Sequence, residues 1–377
     1  MRNNLIRYAL LAALPAMLSC TFSCGGNSKN GGPFQNTYMY VQAGPIAQLR
    51  VQNDGTLTPL TPATVGTPYF FNGSLVAVDA GHYLFASGVD GNGNSAISQY
   101  VIGSDGTLTP NAIPTFSLVT DELSPFTFTP DGQFAIAPAF ITGTCWTGAL
   151  NTYGLSSSGT LSFVDQTSLP GGECEYSYDN LIVDPSGHFV YALCYFGSAD
   201  SICEFSMSAN GAISLLSPAE ADAGGQTNSI TVAPNGFLYA VNNGGTVTAF
   251  WIDESTGQLA NAGSFATGTG TTGGNLSIAF NPAGTYAYVT NTNDNSVTQF
   301  TVDASSGALT LNGPDVATGQ LPEQIAVDPS GRFAFVANYA DRTISQFAIS
   351  DTGRLTPNGT FSLGAQAALS AMTLSQR

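Results

Sequence analysis

Seven times along this chain an apolar residue is followed by an aromatic residue or Leu three positions on, a second apolar residue two beyond that, and a turn Gly four or five later. The copies are Ile46/Leu49/Val51/Gly55, Ile97/Tyr100/Ile102/Gly106, Leu150/Tyr153/Leu155/Gly159, Ile202/Phe205/Met207/Gly211, Val247/Phe250/Ile252/Gly257, Val297/Phe300/Val302/Gly307 and Ile344/Phe347/Ile349/Gly353. Successive turn glycines lie 51, 53, 52, 46, 50 and 46 residues apart. That period matches a four-stranded propeller blade and exceeds the period of most helical solenoids. Because the repeat fills almost all of the 377 residues, it predicts one closed domain.

A second unit precedes each hairpin, clearest as Asp328-Pro329-Ser330-Gly331 and repeated at Asn281-Pro282-Ala283-Gly284, Asp184-Pro185-Ser186-Gly187, Thr129-Pro130-Asp131-Gly132 and Ala233-Pro234-Asn235-Gly236, with Asp79-Ala80-Gly81 as a shorter copy. Pro followed by Gly two residues on marks a tight turn between strands. Period-two alternation begins straight after it, with Phe333 and Phe335, Tyr286 and Tyr288, or Phe189 and Tyr191 on one face and Ala334, Ala287 or Val190 between them. Each blade then presents a bulky and a small face. Stacking bulky on small around a ring buries both, at roughly 1.5 to 3 kcal/mol per aromatic.

These signals predict an all-β, seven-bladed propeller of four-stranded antiparallel blades. In each blade an inner strand precedes the Pro-Gly turn, a second follows it, a third carries the opening motif, and a fourth follows Gly-x-Leu. The first copy, beginning near Tyr38, has no inner strand ahead of it, while the chain ends in an unpaired apolar segment from Ala368 to Leu374. The C-terminal strand is therefore expected to complete the N-terminal blade and close the ring, leaving no open sheet edge. The Pro-Gly and Gly-x-Leu turns would share one face of the disc, and the second-to-third-strand loops and interblade connections the other. Only 9% of residues are charged and Gly numbers 43, which suits short strands joined by tight turns.

Residues 1–19 read as a secretory signal, with Arg2 and Arg7 ahead of an apolar run from Tyr8 to Leu18 that is too short to span a membrane. The run ends at Leu18-Ser19-Cys20, which resembles a bacterial lipoprotein cleavage site; Cys24 is the alternative, and an ordinary signal peptide is the plainer reading. Residues 20–36 would form a flexible tether and residues 37–377 the propeller. After such processing six basic residues, Lys29, Arg50, Arg332, Arg342, Arg354 and Arg377, face 25 acidic ones, a formal charge of −19. A nucleic-acid backbone would be repelled. The remaining cysteines favour disulfides in an oxidising compartment, paired by position as Cys145 with Cys174 and Cys194 with Cys203, both pinning loops on the loop-bearing face. Metal binding is the weaker reading because there is no CxxC pair.

Tyr288-Val289-Thr290-Asn291 is a literal YVTN, and Phe335-Val336-Ala337-Asn338 after Asp328-Pro329-Ser330-Gly331 is a close relative. Together with Ser306-Gly307-Ala308-Leu309, these resemble the seven-bladed lactonase-type propeller family, the YVTN repeat proteins, over roughly residues 37 to 377. The resemblance implies the fold directly. For activity it implies sugar-lactone hydrolysis of the 6-phosphogluconolactonase kind, in which inner strands begin with Pro-Arg-His-like segments and the YVxN segment is often followed by Glu. Here the matching segments are Pro322-Glu323-Gln324, Ser124-Pro125-Phe126 and Gly274-Asn275-Leu276, and the Asn positions are followed by Asn243, Thr292 and Tyr339. Lactone opening needs a base and help for the oxyanion, and a phosphosugar needs basic side chains. The only histidines, His82 and His188, follow turn glycines.

The loop-bearing face carries weaker signals. Asp90, Asn92 and Asn94 place oxygen atoms at alternate positions like the start of a calcium loop, but the sixth-place Gly and closing Glu are missing, so an ordinary hairpin loop is the expectation and no cofactor or metal is predicted. Trp146, Tyr176 and Tyr195 belong to an aromatic-rich set that would stack on sugars, anchor a protein, or form a satellite core. Asn291 and Asn338 close second strands and either cap turns or meet a ligand. Arg342, beside Asp341, is the one Arg on this face.

The expectation is an exported, lipid-anchored propeller at the cell envelope, periplasmic or on the cell surface, acting as a binding or scaffold module for a protein or glycan. It would touch the membrane through its anchor alone and bind no nucleic acid. Two alternatives stand beside it: a lactonase using carboxylates such as Glu323, Asp121 or Glu122, and a structural subunit of a surface assembly.

Overall fold

The protein is described by a computed structural model covering residues 36–66, 74–78, 82–89, 95–117, 126–141, 147–168, 178–196, 199–267, 274–364 and 369–376. Among these residues the chain forms seven antiparallel sheets. From the first blade to the seventh, the innermost strands are Leu369–Gln376, Leu75–Val78, Thr127–Phe128, Tyr178–Val183, Thr227–Val232, Asn275–Phe280 and Pro322–Val327. The second strands are Thr37–Ala43, Tyr83–Val89, Phe134–Ile141, Phe189–Phe196, Phe237–Asn242, Tyr286–Asn291 and Phe333–Asn338. Third come Ile46–Val51, Ser95–Ile102, Thr147–Leu155, Ala199–Met207, Thr246–Ile252, Ser296–Val302 and Thr343–Ile349. The outermost are Leu57–Val65, Leu108–Ser117, Leu161–Ser168, Ile213–Asp222, Leu259–Ala266, Leu309–Leu311 and Leu355–Ser362.

The ring closes as the unpaired tail required. Leu369–Gln376 pairs antiparallel with Thr37–Ala43, from Thr37 opposite Gln376 to Ala43 opposite Leu369. It also lies beside the innermost strands of the second and seventh blades. The sixth blade departs from the repeat: Asn312-Gly313-Pro314 interrupts its outermost strand, and a short piece, Val316–Ala317, resumes pairing with Ser296–Val302. Proline has no N–H to donate to a ladder, which accounts for the gap.

Seven buried clusters fill the seams rather than the blades, each joining two consecutive blades. Met39 and Val41 pack with Phe335 and Ile344 across the closing seam, while Tyr38 and Tyr40 pack with Leu84 and Tyr100 across the next. The aromatic that follows the Pro-Gly turn lies on the Gly-x-Leu turn glycine of the next blade. A Cβ on Gly353 would stand 2.2 Å from the Tyr286 ring, and one on Gly55 2.2 Å from the Phe333 ring. The same pairing joins Tyr38 to Gly106, Tyr83 to Gly159, Phe134 to Gly211, Phe189 to Gly257 and Phe237 to Gly307. Four seams add a tyrosine hydroxyl: Tyr40, Tyr191, Tyr239 and Tyr288 donate to the carbonyls of Gly106, Gly257, Gly307 and Gly353. The repeat spacing thus fixes contacts between blades as well as the strands within them.

A further tie uses the residue just before the third-strand aromatic or Leu. Its side-chain oxygen accepts the backbone N–H of the Gly-x-Leu Leu in the next blade: Gln48 from Leu108 at 2.5 Å, Gln99 from Leu161 at 3.3 Å, Gln299 from Leu355 at 2.6 Å and Gln346 from Leu57 at 2.8 Å. The outermost strand of the same blade bulges opposite or beside this position in most blades. Thr152 and Ala249 occupy the same position in the third and fifth blades and are shorter than Gln.

Candidate functional site

The inner strands enter the ring from the face carrying the second-to-third-strand turns, and several begin with a register shift. Glu323 is the extra residue in one of these, between the Pro322–Asn338 and Gln324–Ala337 pairs. Such a bulge turns a side chain out of the ladder, often at a functional rim. Glu323 is half-buried there, and burial raises its carboxyl above the ordinary carboxylate range. Its neighbours are fixed: the Pro322 carbonyl accepts the Thr292 hydroxyl at 2.6 Å, and Gln324 Oε1 accepts Met372 N–H at 2.6 Å.

Asn338 and Asn291 sit beside this entry and serve the turns. Asn338 Nδ2 donates to Thr343 Oγ1 at 3.0 Å and Ser345 Oγ at 2.9 Å; Asn291 Nδ2 donates to Ser296 Oγ at 3.0 Å and Thr298 Oγ1 at 2.8 Å. Both Oδ1 atoms are buried and carry no hydrogen bond from the described residues. In the fifth blade Asn242 Oδ1 accepts Thr227 Oγ1 at 2.8 Å. Thr227 stands opposite Asn242 as Pro322 stands opposite Asn338, and proline has no hydroxyl to offer. The Asn338 acceptor is therefore orphaned by the residue that introduces Glu323.

The rim outside Glu323 is apolar and tightly held. Leu321 has φ of 52°, donates its N–H to Asn295 Oδ1 at 2.8 Å, and accepts Tyr339 N–H at 2.8 Å. A branched side chain at positive φ is a strained backbone of the kind that collects at functional sites. Leu321 is 39% exposed and Tyr339 46% exposed, so an apolar residue and an aromatic residue stand open at the entry of the strand that carries Glu323. Arg342, at φ 57° in the following turn, is exposed, and its carbonyl accepts Leu363 N–H. Asp341 Oδ2 accepts Gln320 N–H at 2.6 Å. A pocket of about 220 Å³ lies alongside, lined by Thr318, Gly319, Asp341, Thr343, Ser345 and Thr360 among others.

Of the residues singled out in the sequence, Glu323, Asn338 and Arg342 come together at the seventh blade and Asn291 lies on the sixth. The backbone of Tyr195 pairs with Asp200 at the corresponding end of the fourth blade. Cys20, Cys24, Asp90, Asn92, Asn94, Asp121, Glu122, Cys145, Trp146, Cys174 and Tyr176 lie outside the described residues. Cys194 and Cys203 form the expected disulfide, but it staples two strands rather than a loop: both residues are buried within the ladder, where Cys194 pairs with Ser201 and Cys203 with Ala192. His82 and His188 are exposed at the Pro-Gly turn positions, on the other rim. The sequence places Tyr339 after the Asn338 that closes a second strand, but nothing local announces Leu321 as a rim residue at positive φ.

A closed ring of seven four-stranded blades, with its entry lined from the inner strands, is the architecture of lactonase-type propellers. Residues 35–369 match the family model described as lactonase, 7-bladed beta-propeller, and the chain belongs to that family. No curated protein matches the chain in sequence. Among solved structures, a candidate 6-phosphogluconolactonase from Bacteroides fragilis is similar at 20% identity and a TM-score of 0.73, covering 92% of this chain and 99% of its own. A second candidate 6-phosphogluconolactonase, from Bacteroides uniformis, has 20% identity and a TM-score of 0.73 over 90% of this chain and 99% of its own. The periplasmic gluconolactonase PpgL of Pseudomonas aeruginosa has 17% identity and a TM-score of 0.71 over 90% of this chain and 98% of its own. At these identities the likeness speaks for the fold alone.

Proposed function

We propose that this chain is an exported, lipid-anchored propeller that works at the cell envelope as a binding or scaffold module, capturing a glycan at the rim over its sixth and seventh blades. The observation that carries the reading is the chemistry of that rim. Glu323 occupies the place where the lactonase pattern puts a basic residue, on the strand whose entry is backbone-bonded at Leu321 to the exposed Tyr339. The sequence has no Lys or Arg between Arg50 and Arg332, so five consecutive blades offer no cation to a phosphorylated sugar. An open aromatic ring suits the apolar face of a sugar, and a half-buried carboxyl whose affinity for its proton is raised by burial offers hydrogen bonds to hydroxyls.

Capture of envelope glycans by the purified domain tests the reading: Tyr339→Ala is expected to weaken it without changing thermal stability. Equal capture by wild type and variant would remove the rim from the account. Anchoring is tested separately by cell fractionation, with Cys20→Ser expected to move the protein from the membrane to the soluble envelope fraction and Cys24→Ser to leave it in place.

The second reading is lactone hydrolysis, favoured by the same raised carboxyl at the channel entry, where Glu323 would take the proton of an attacking water. Turnover of a lactone panel by wild type, abolished in Glu323→Gln, would establish it. A protein partner in place of a glycan would show as retention of an envelope protein that free sugars do not displace.

A further inference from the structure

Glu204 stands in the fourth blade where Gln48, Gln299 and Gln346 stand in theirs, just before the third-strand aromatic or Leu. It makes the same tie to the next blade: Oε1 accepts Leu259 N–H at 3.2 Å. In two of the amide blades, both with a proline at the matching place, the other end of the side chain donates. Gln48 Nε2 gives a hydrogen bond to Pro62 O at 3.0 Å on its own outermost strand, and Gln299 Nε2 one to Pro314 O at 2.7 Å in the break of its outermost strand. Pro62 and Pro314 lie seven residues after the turn glycines Gly55 and Gly307, and Pro218 lies seven after Gly211. The fourth blade thus keeps the acceptor and replaces the amide donor with a carboxyl oxygen. That oxygen, Oε2, is buried and has no hydrogen-bond partner among the described residues, and the residue is 2% exposed.

We propose that Glu204 is a protonated carboxyl serving as an amide substitute: its carbonyl oxygen accepts Leu259 N–H, its hydroxyl donates toward the outermost strand at Pro218, and loss of the proton loosens the seam between the fourth and fifth blades. A carboxylate there would be acceptor-only and buried, with no donor among the described residues for its second oxygen.

Burial is what favours the neutral form, and the elements packed around Glu204 bring acids rather than a cation. Across the sheet Glu204 pairs with Tyr191, whose phenol is raised by burial, with the charges of Asp184 and Glu204 adding to the effect. Its own strand carries Asp200, the outermost strand Glu220 and Asp222, and the turn of the fifth blade Asp253 and Glu254. His188, the one base on these elements, is exposed at the far turn. Burial accordingly raises the Glu204 carboxyl to about 7, opposed in part by the Leu259 amide.

Because the folded form holds its proton more tightly than the unfolded chain, the stability that the group contributes is full below the ordinary carboxylate range and is lost as pH rises through about 7. Relative to Glu204→Gln, whose amide does not titrate, the wild-type folding equilibrium should fall on the order of a hundred-fold between pH 4.5 and pH 8. Urea denaturation of both proteins across that range reads this directly. A difference between them that does not change with pH would overturn the proposal.

A carbon-13 titration of the seven glutamate carboxyls in the wild-type chain, assigned by through-bond spectra, stands even if the variant loses its fold. The Glu204 line is expected to titrate near neutral pH; titration in the ordinary carboxylate range would refute the protonated clip.

Discussion

Replacing Gly55 by Ala probes the seam at which the ring closes. The new Cβ would stand 2.2, 2.4 and 2.8 Å from three carbons of the Phe333 ring, and the residue has φ of 81°. Two costs add: about 1–2 kcal/mol for an alanine in the left-handed region, and about 1–3 kcal/mol for pushing the ring out of a packed seam. Gly44→Ala separates them, since Gly44 has φ of 87° and nothing within 4 Å of its Cβ position. Gly44→Ala is expected to show the backbone cost alone, and Gly55→Ala that cost plus about 1–3 kcal/mol, read as the loss in urea denaturation free energy at fixed pH. Adding Phe333→Leu to Gly55→Ala should recover part of the second cost, and the double-mutant cycle would report the coupling. If Gly55→Ala costs no more than Gly44→Ala, the aromatic-on-glycine contact does not hold the ring shut.

Three further outcomes are expected. Ending the chain after Gln366 deletes the strand paired along Thr37–Ala43 and should abolish cooperative unfolding of the whole domain, monitored by circular dichroism. Changing both Cys194 and Cys203 to Ser opens a link spanning nine residues and should cost about 2.5 kcal/mol on loop entropy; an unchanged denaturation midpoint under oxidising conditions would contradict the bond. Since burial holds the Glu323 carboxyl above its ordinary range, its contribution to stability is lost as pH rises through that raised value, so Glu323→Gln should match wild type in acid and exceed it at higher pH. A gap between the two that is constant with pH would place Glu323 in open solvent.

The ring was legible because its signals are local and periodic. Pro-x-Gly, the alternation after it and Gly-x-Leu each act over a few residues, and the orphan tail beyond Ala368 left one place for an eighth end to go. The aromatic after the Pro-Gly turn was readable as a core residue, but its seat on the next blade's turn glycine was not. That contact joins residues such as Phe333 and Gly55 across nearly the full chain. The interblade ties were hidden for a related reason. In a single strand Gln48 or Gln346 reads as a solvent-facing residue, and only the ring puts a backbone N–H of the next blade in front of it. At the rim, Glu323 was visible as a departure from the lactonase pattern, whereas Leu321 gave no warning: its positive φ comes with a bond from its N–H to Asn295 of the neighbouring blade, which no local pattern announces.

The rim over the sixth and seventh blades is tested most directly by glycan-array binding of the wild type beside two single-ring deletions. Tyr339→Ala removes an exposed ring from that rim, and Trp251→Ala removes one that is 49% exposed next to the Gly-x-Leu turns of the opposite face. A stacking ring contributes about 0.5–1.5 kcal/mol, so affinity for the preferred sugar should fall about two- to twelvefold in Tyr339→Ala and hold in Trp251→Ala. Binding that survives loss of Tyr339, or that depends on Trp251 instead, would contradict the assignment of this rim as the working surface.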